Sequence, residues 1–145
     1  MVKHGSRKEV DRGQAERYRR VGASLLESAQ ALAELATESD SFGNAIAVVA
    51  VHACIAHNDA LCIAWKGVKS TDGDHGRAAD TLVFALSHQA PPERVRQLRA
   101  VVDKKDQVSY QGSYYRVTDA VRLLKDAAAF CNWADEIYER RPAAA

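Results

Sequence analysis

Ala45-Ile-Ala-Val-Val-Ala-Val-His52-Ala-Cys-Ile-Ala56 is the most apolar stretch of this chain, and Leu61 to Trp65 extends it. The run predicts a helix from about Gly43 to Trp65 that is apolar nearly all round, which marks a helix enclosed by others. Val48, Val49 and Val51 favour a strand, but the length of the run and its many alanines favour helix. Ala50, Ala53, Ala56 and Ala60 are small enough to let neighbouring helices approach closely. A membrane span needs about 20 apolar residues with few polar ones. His52, His57, Asn58 and Asp59 interrupt this run. It therefore reads as a buried core helix, with no membrane association.

Working outward, Tyr18, Val21, Leu25, Ala29, Leu32 and Leu35/Ala36 recur at helical steps and predict a preceding helix from about Glu16 to Glu38. Asp40 or Ser41 is placed to cap the central helix by accepting a backbone N–H bond. Downstream, Lys66 to Gly73 reads as a loop. A third helix is expected from about His75 to His88, with Asp72 or Asp74 as its cap and Leu82 and Leu86 on its stripe. Pro91-Pro92 opens a fourth, because proline suits the first helical position; Val95, Leu98 and Val102 form its apolar side, and Lys104-Lys105-Asp106 closes it. Gln107 to Arg116 reads as loop. Thr118 is expected to cap the fifth helix, which runs to about Tyr138 with Val121, Leu124, Ala128 and Cys131 in line. The fold class is all-α, an antiparallel bundle of about five helices around a buried second helix.

The chain has 145 residues, 20 Lys plus Arg and 19 Asp plus Glu, for a formal net charge of +1. That length suits one domain, residues 1–145. The balance gives no whole-molecule field for a polyanion. It conceals an uneven distribution. Met1 to Arg20 holds seven bases against three acids, whereas Val21 to Ala64 holds no Lys or Arg. Residues 1–15 are expected to form a basic flexible arm, and 140–145 a tail. Cys54, Cys62 and Cys131 lie among apolar residues and form no C-x-x-C pair. An odd, dispersed set is not a disulfide framework, so a reducing, cytoplasmic setting is expected.

No phosphate-loop, dinucleotide, nucleophile-elbow or H-E-x-x-H motif occurs. His52 and His57 are five apart and point to different helix faces, so neither a metal nor a cofactor is expected. His52 and Asp59 are seven apart, almost two full turns, and project from one side of the central helix. One reading makes His52 a hydrogen-bonded core residue and pairs Asp59 with a Lys or Arg. The other has them floor a polar cleft, with His52 or His75 as a general base near Asp59. His75, at a helix N-terminus, either packs or joins that cleft. Lys105 continues the apolar side of its helix. Tyr110, Tyr114 and Tyr115 follow it and could stack bases or pin the loop against the bundle. Arg94, Arg96 and Arg99 could form a phosphate-facing patch, or simply a solvated face.

The alternation Ala50-Val-His-Ala-Cys-Ile-Ala-His-Asn-Asp-Ala60, the polar loop after it, Lys104-Lys-Asp-Gln-Val-Ser-Tyr110 and the last Ala- and aromatic-rich helix together resemble a HEPN-type domain. This is the small helical bundle of prokaryotic toxin, defence and nucleotidyltransferase-associated proteins. The resemblance spans roughly Ala15 to Tyr138. Many members are ribonucleases with an Arg followed by a His four to six residues later. No His follows Arg94, Arg96, Arg99, Lys104 or Lys105 at that spacing. The resemblance therefore implies a non-catalytic member that binds a nucleotide, nucleic acid or protein partner as a homodimer, or that associates with a nucleotidyltransferase-type protein. His52, Asp59, His75, Lys105, Tyr110 and Tyr114 are its ligand-binding candidates. The alternatives are an enzyme with a non-standard His/Asp site and a structural partner such as an antitoxin or scaffold.

Overall fold

Helix α2 (Gly43–Lys66) forms where the apolar run predicts it. The computed structural model describes residues 7–39, 41–71 and 77–143, and α2 is its centre. Ile46, Val51, Cys54, Leu61 and Ile63 have no exposed surface. Each such aliphatic side chain contributes on the order of 1.5–3 kcal/mol by leaving water, which is why α2 needs no polar face. By length and composition α2 could cross a membrane, but 78% of its apolar window is buried inside the bundle. Gly67 ends it in the left-handed conformation at φ 65°, where glycine carries no Cβ penalty.

Helices α1 (Ala15–Leu35) and α6 (Val117–Glu139) flank α2. Arg12, just before α1, donates to the carbonyl of Ala64 near the end of α2, so α1 runs antiparallel to α2. Thr118 at the start of α6 donates to Glu38, and Tyr138 near its end donates to Glu16, so α1 is antiparallel to α6 as well. α2 and α6 therefore run in the same direction. The return is made by α3 (Ala78–Leu86), α4 (Pro92–Val102) and the one-turn α5 (Lys105–Ser109). The result is an all-α bundle with a buried second helix, as the sequence predicts.

Several local expectations are corrected. Arg7–Glu9 is not a free arm: it forms strand β1, antiparallel to strand β2 (Val68–Ser70), with Lys8 opposite Lys69. The segment read as a loop after α2 thus contains a strand. Arg12 also donates to the carbonyl of Pro142, which ties the C-terminal tail to the start of α1. Lys105 does not close α4 but opens α5. Ser41 does not cap α2, whose N-cap is Phe42 without a side-chain bond; Asp40 lies outside the described residues, as do Asp72, Asp74 and His75. Thr118 does not cap α6. The extended residue before the helix is Arg116, and the Thr118 hydroxyl is taken by Glu38 at 2.7 Å.

Of the stripe read on α1, Tyr18, Leu25, Ala29, Leu32 and Ala36 pack into the core. Ala15, Gly22 and Ala29 are buried against the bundle, whereas Val21 is 53% and Leu35 71% exposed. The face with the smallest residues turns to α2 because it permits the closest helix approach.

Candidate functional site

The loop after α5 is fixed to the start of α2 by Asn44. Its amide donates to the carbonyls of Val108 and Ser113, and its Oδ1 accepts from the Tyr115 N–H at 2.8 Å. Lys105 is buried, and its ammonium lies 3.4 Å from the Tyr110 hydroxyl and 4.9 Å from the ring centre. Tyr110 and Tyr114 are mainly exposed, so Asn44 and the half-buried Tyr115 pin the loop instead.

Asp59 sits fifteen residues after Asn44, about 22 Å further along α2 at 1.5 Å per residue. It is buried, and Lys69 of β2 supplies a cation at 3.9 Å. This is the paired alternative anticipated from the sequence. Lys69 also lies 5.3 Å from the ring centre of Tyr18. One lysine therefore bridges α1 and α2, which shows that the Tyr18 side of α1 and the Asp59 side of α2 share one surface of the helix pair. His52 lies on that surface too, half-buried, two turns before Asp59. The Lys105–Tyr110 pair is at one end of α2 and the Asp59–Lys69 pair towards the other. His75 lies outside the described residues. Among the described residues, no group of His, Cys, Asp and Glu has the geometry of a metal site.

The polar cluster with the most perturbed chemistry was not among the predicted candidates. His57, on the α1-facing side of α2, is fully buried, and its Nδ1–H donates to the Ala53 carbonyl at 2.8 Å. Its Nε2 faces Asp135 Oδ1 at 3.6 Å, and Arg19 reaches the same carboxylate at 4.0 Å. Cys54 directs its thiol to the Ala127 carbonyl at 3.6 Å and lies against Cys131 on the next turn of α6. The neighbouring Cys54 thiol, helped by His57 and opposed by burial, lowers the Cys131 thiol to about 6. Burial alone would push His57 down, but contacts with Cys131, the Ala53 carbonyl and Asp135 outweigh it and hold the ring above its ordinary value. Cys54 in turn is pushed up by Cys131 and by burial.

A thiol of lowered pKa, an imidazole and a carboxylate are the ingredients of a cysteine nucleophile. Here they are enclosed. Cys54 and Cys131 have no exposed surface, and Gly22 of α1 lies so close over His57 that a Cβ there would come within 2.5 Å of Nδ1. No substrate reaches the sulfur in this arrangement, so the cluster acts as an internal tie between α2 and α6. Asp135 follows Cys131 by four residues, a spacing visible in the sequence. The facing of α2 on α6, which brings His57 to them, is not.

The remaining feature of this side of the molecule is apolar. Val21 and Leu35 of α1 are exposed, whereas Tyr18, Leu25 and Leu32 of α1 and Val48 and Ile55 of α2 are partly buried and pack against the core. Comparison with protein-family models, with curated proteins and with solved structures gives no match to this chain.

Proposed function

We propose that the chain is a non-catalytic helical interaction module of the HEPN type that its sequence resembles, acting in the cytoplasm by associating with protein. The observation that supports this reading is the exposure of aliphatic side chains on α1. Val21 and Leu35 stand 53% and 71% exposed on that helix, whereas the residues able to do chemistry are either enclosed or far apart. Exposed aliphatic side chains on a core-packed helix are candidates for contact with a partner. Three buried free thiols suit a reducing compartment. Such a module fits the partner side of a toxin–antitoxin or nucleotidyltransferase-associated assembly. Nucleotide binding has less support, because the loop carrying Tyr110 is bonded to Asn44, about 22 Å along α2 from Asp59.

The test is direct. The full chain is incubated with a mixed-sequence RNA, and separately titrated with ATP and GTP while amide spectra are recorded. The expected result is intact RNA and unshifted resonances at His52, Lys105 and Tyr110. RNA cleavage abolished by His57→Gln, or saturable nucleotide shifts at those residues, overturns the reading.

A further inference from the structure

We infer that Lys105, Ser109 and Tyr110 form a receptor site for a single carboxylate, presented by a glutamate or aspartate side chain of a protein partner. This rests on the proposed interaction-module reading and names the chemistry by which the partner is held. Three observations carry it. The first is a buried cation. Lys105 is 6% exposed, and among the described residues its ammonium has no carboxylate beside it. Its neighbours are the Tyr110 hydroxyl at 3.4 Å and the Tyr110 ring centre at 4.9 Å. Taking an ammonium out of water is costly unless an opposite charge and further hydrogen bonds replace the water. Asp59, the buried acid of α2, has its cation at 3.9 Å in Lys69; Lys105 has no such counterpart within the bundle.

The second observation is a surplus of donors. Ser109 follows Lys105 by one turn of α5 and lies on the same face. Its hydroxyl oxygen is buried and has no hydrogen-bond partner among the described residues. The ammonium has three N–H donors, one of which serves the Tyr110 oxygen, and the Tyr110 and Ser109 hydroxyls each carry a proton to donate. A carboxylate only accepts, so it is the group that satisfies all three at once. The third observation sets the charge and the source of the ligand. One ammonium balances one negative charge, and the exposed Asp103 and Asp106 that flank Lys105 repel a dianionic phosphate more strongly than a carboxylate. Tyr110 is 72% exposed, so the site opens to solvent on that side, and Tyr114 of the same loop is 63% exposed. Exposed tyrosines are contact residues that protein interfaces favour, which places the carboxylate on a partner's surface.

The test titrates the whole chain at constant ionic strength with a blocked pentapeptide carrying one central glutamate, with its glutamine counterpart, and with sodium acetate and inorganic phosphate alone. The Lys105 side-chain and Ser109 amide resonances are followed. The glutamate peptide should shift both saturably, and the glutamine peptide should bind about 10-fold more weakly, because it lacks the charge that strengthens the hydrogen bonds. Lys105→Met should abolish the shift at Ser109 and leave the thermal midpoint unchanged or raised, because an apolar side chain of similar length replaces a buried ammonium without a counter-charge. Ser109→Ala should weaken binding about 3-fold. Acetate or phosphate saturating the site at a lower concentration than the glutamate peptide assigns it to a free anion and overturns the partner. No shift with any carboxylate, equal binding of the two peptides, or a midpoint lowered by Lys105→Met overturns the site itself, while leaving the interaction-module reading to the RNA and nucleotide test.

Discussion

Gly22→Ala is the substitution whose outcome depends most on the close contact of α1 with α2. In an open helix position it would stabilise the protein by up to about 1 kcal/mol, because alanine loses less backbone freedom than glycine. Here the added Cβ would lie 2.5 Å from His57 Nδ1 and 2.8 Å from Cε1, about 1 Å inside ordinary contact. The ring is no yielding chain end. Its Nδ1–H is committed to the Ala53 carbonyl, and turning it away would strand a buried donor at a cost of about 1–3 kcal/mol. Moving α1 outward instead loosens the packing around Ala29, and overpacking of this kind costs about 1–3 kcal/mol. The steric term wins, for a net loss of about 1–2 kcal/mol and a midpoint lower by roughly 3–8 °C for a domain of this size. Urea unfolding followed by circular dichroism measures it. The double variant Gly22→Ala/His57→Ala should show a coupling of at least about 1 kcal/mol, since removing the ring vacates the space the methyl needs. A Gly22→Ala protein more stable than the natural one would refute the reasoning.

Two further outcomes follow from the buried polar groups. Cys131, lowered to about 6, should show a step in thiolate absorbance near 240 nm at that pH in the folded protein, absent from Cys131→Ala; a step only near the ordinary thiol value would contradict it. A depressed value stabilises above the group's unfolded pKa and is lost as pH falls through the folded one. The stability advantage over Cys131→Ala should therefore grow from pH 6 to 9, and an advantage that shrinks would reverse the assignment. Asp59→Ala leaves Lys69, whose side chain is 12% exposed, without its carboxylate, and should cost about 1–3 kcal/mol in urea unfolding. Adding Lys69→Met should recover at least half of that, and strict additivity would show that the two charges do not interact.

What the sequence made legible were elements with a long period. The central helix is announced by its apolar run, α4 by Pro91-Pro92, and both ends of α2 fall within a residue of the expected ones. The strands were not legible because three residues cannot display an alternation. Arg7-Lys-Glu9 even reads as a solvated charge run until β2 pairs with it. α5 was missed for the same reason, since a single turn carries no period. Thr118 was a sound capping residue by type, but the cap is set by which residue is extended, and a carboxylate from the other side of the bundle claimed its hydroxyl.

For the site, the seven-residue spacing of His52 and Asp59 correctly placed them on one side of α2, while the cation that neutralises Asp59 comes from β2, the strand that could not be foreseen. The His57–Cys131–Asp135 cluster needed more than spacing, because it exists only if α6 runs in the same direction as α2. That direction follows from the return made by α3 to α5, which no local pattern encodes. The division of the α1 stripe has a different cause. Hydropathy alone assigns Leu25, Leu32 and Leu35 to the core and leaves Gly22 neutral. Close approach adds Gly22 to the buried face, because His57 already fills the volume between the helices and only a residue without a Cβ fits against it. Tyr18, Leu25 and Leu32 of the stripe pack against the core as expected, and only Val21 and Leu35 turn outward. The same imidazole that seals the thiol cluster thus sets how closely α1 can approach α2.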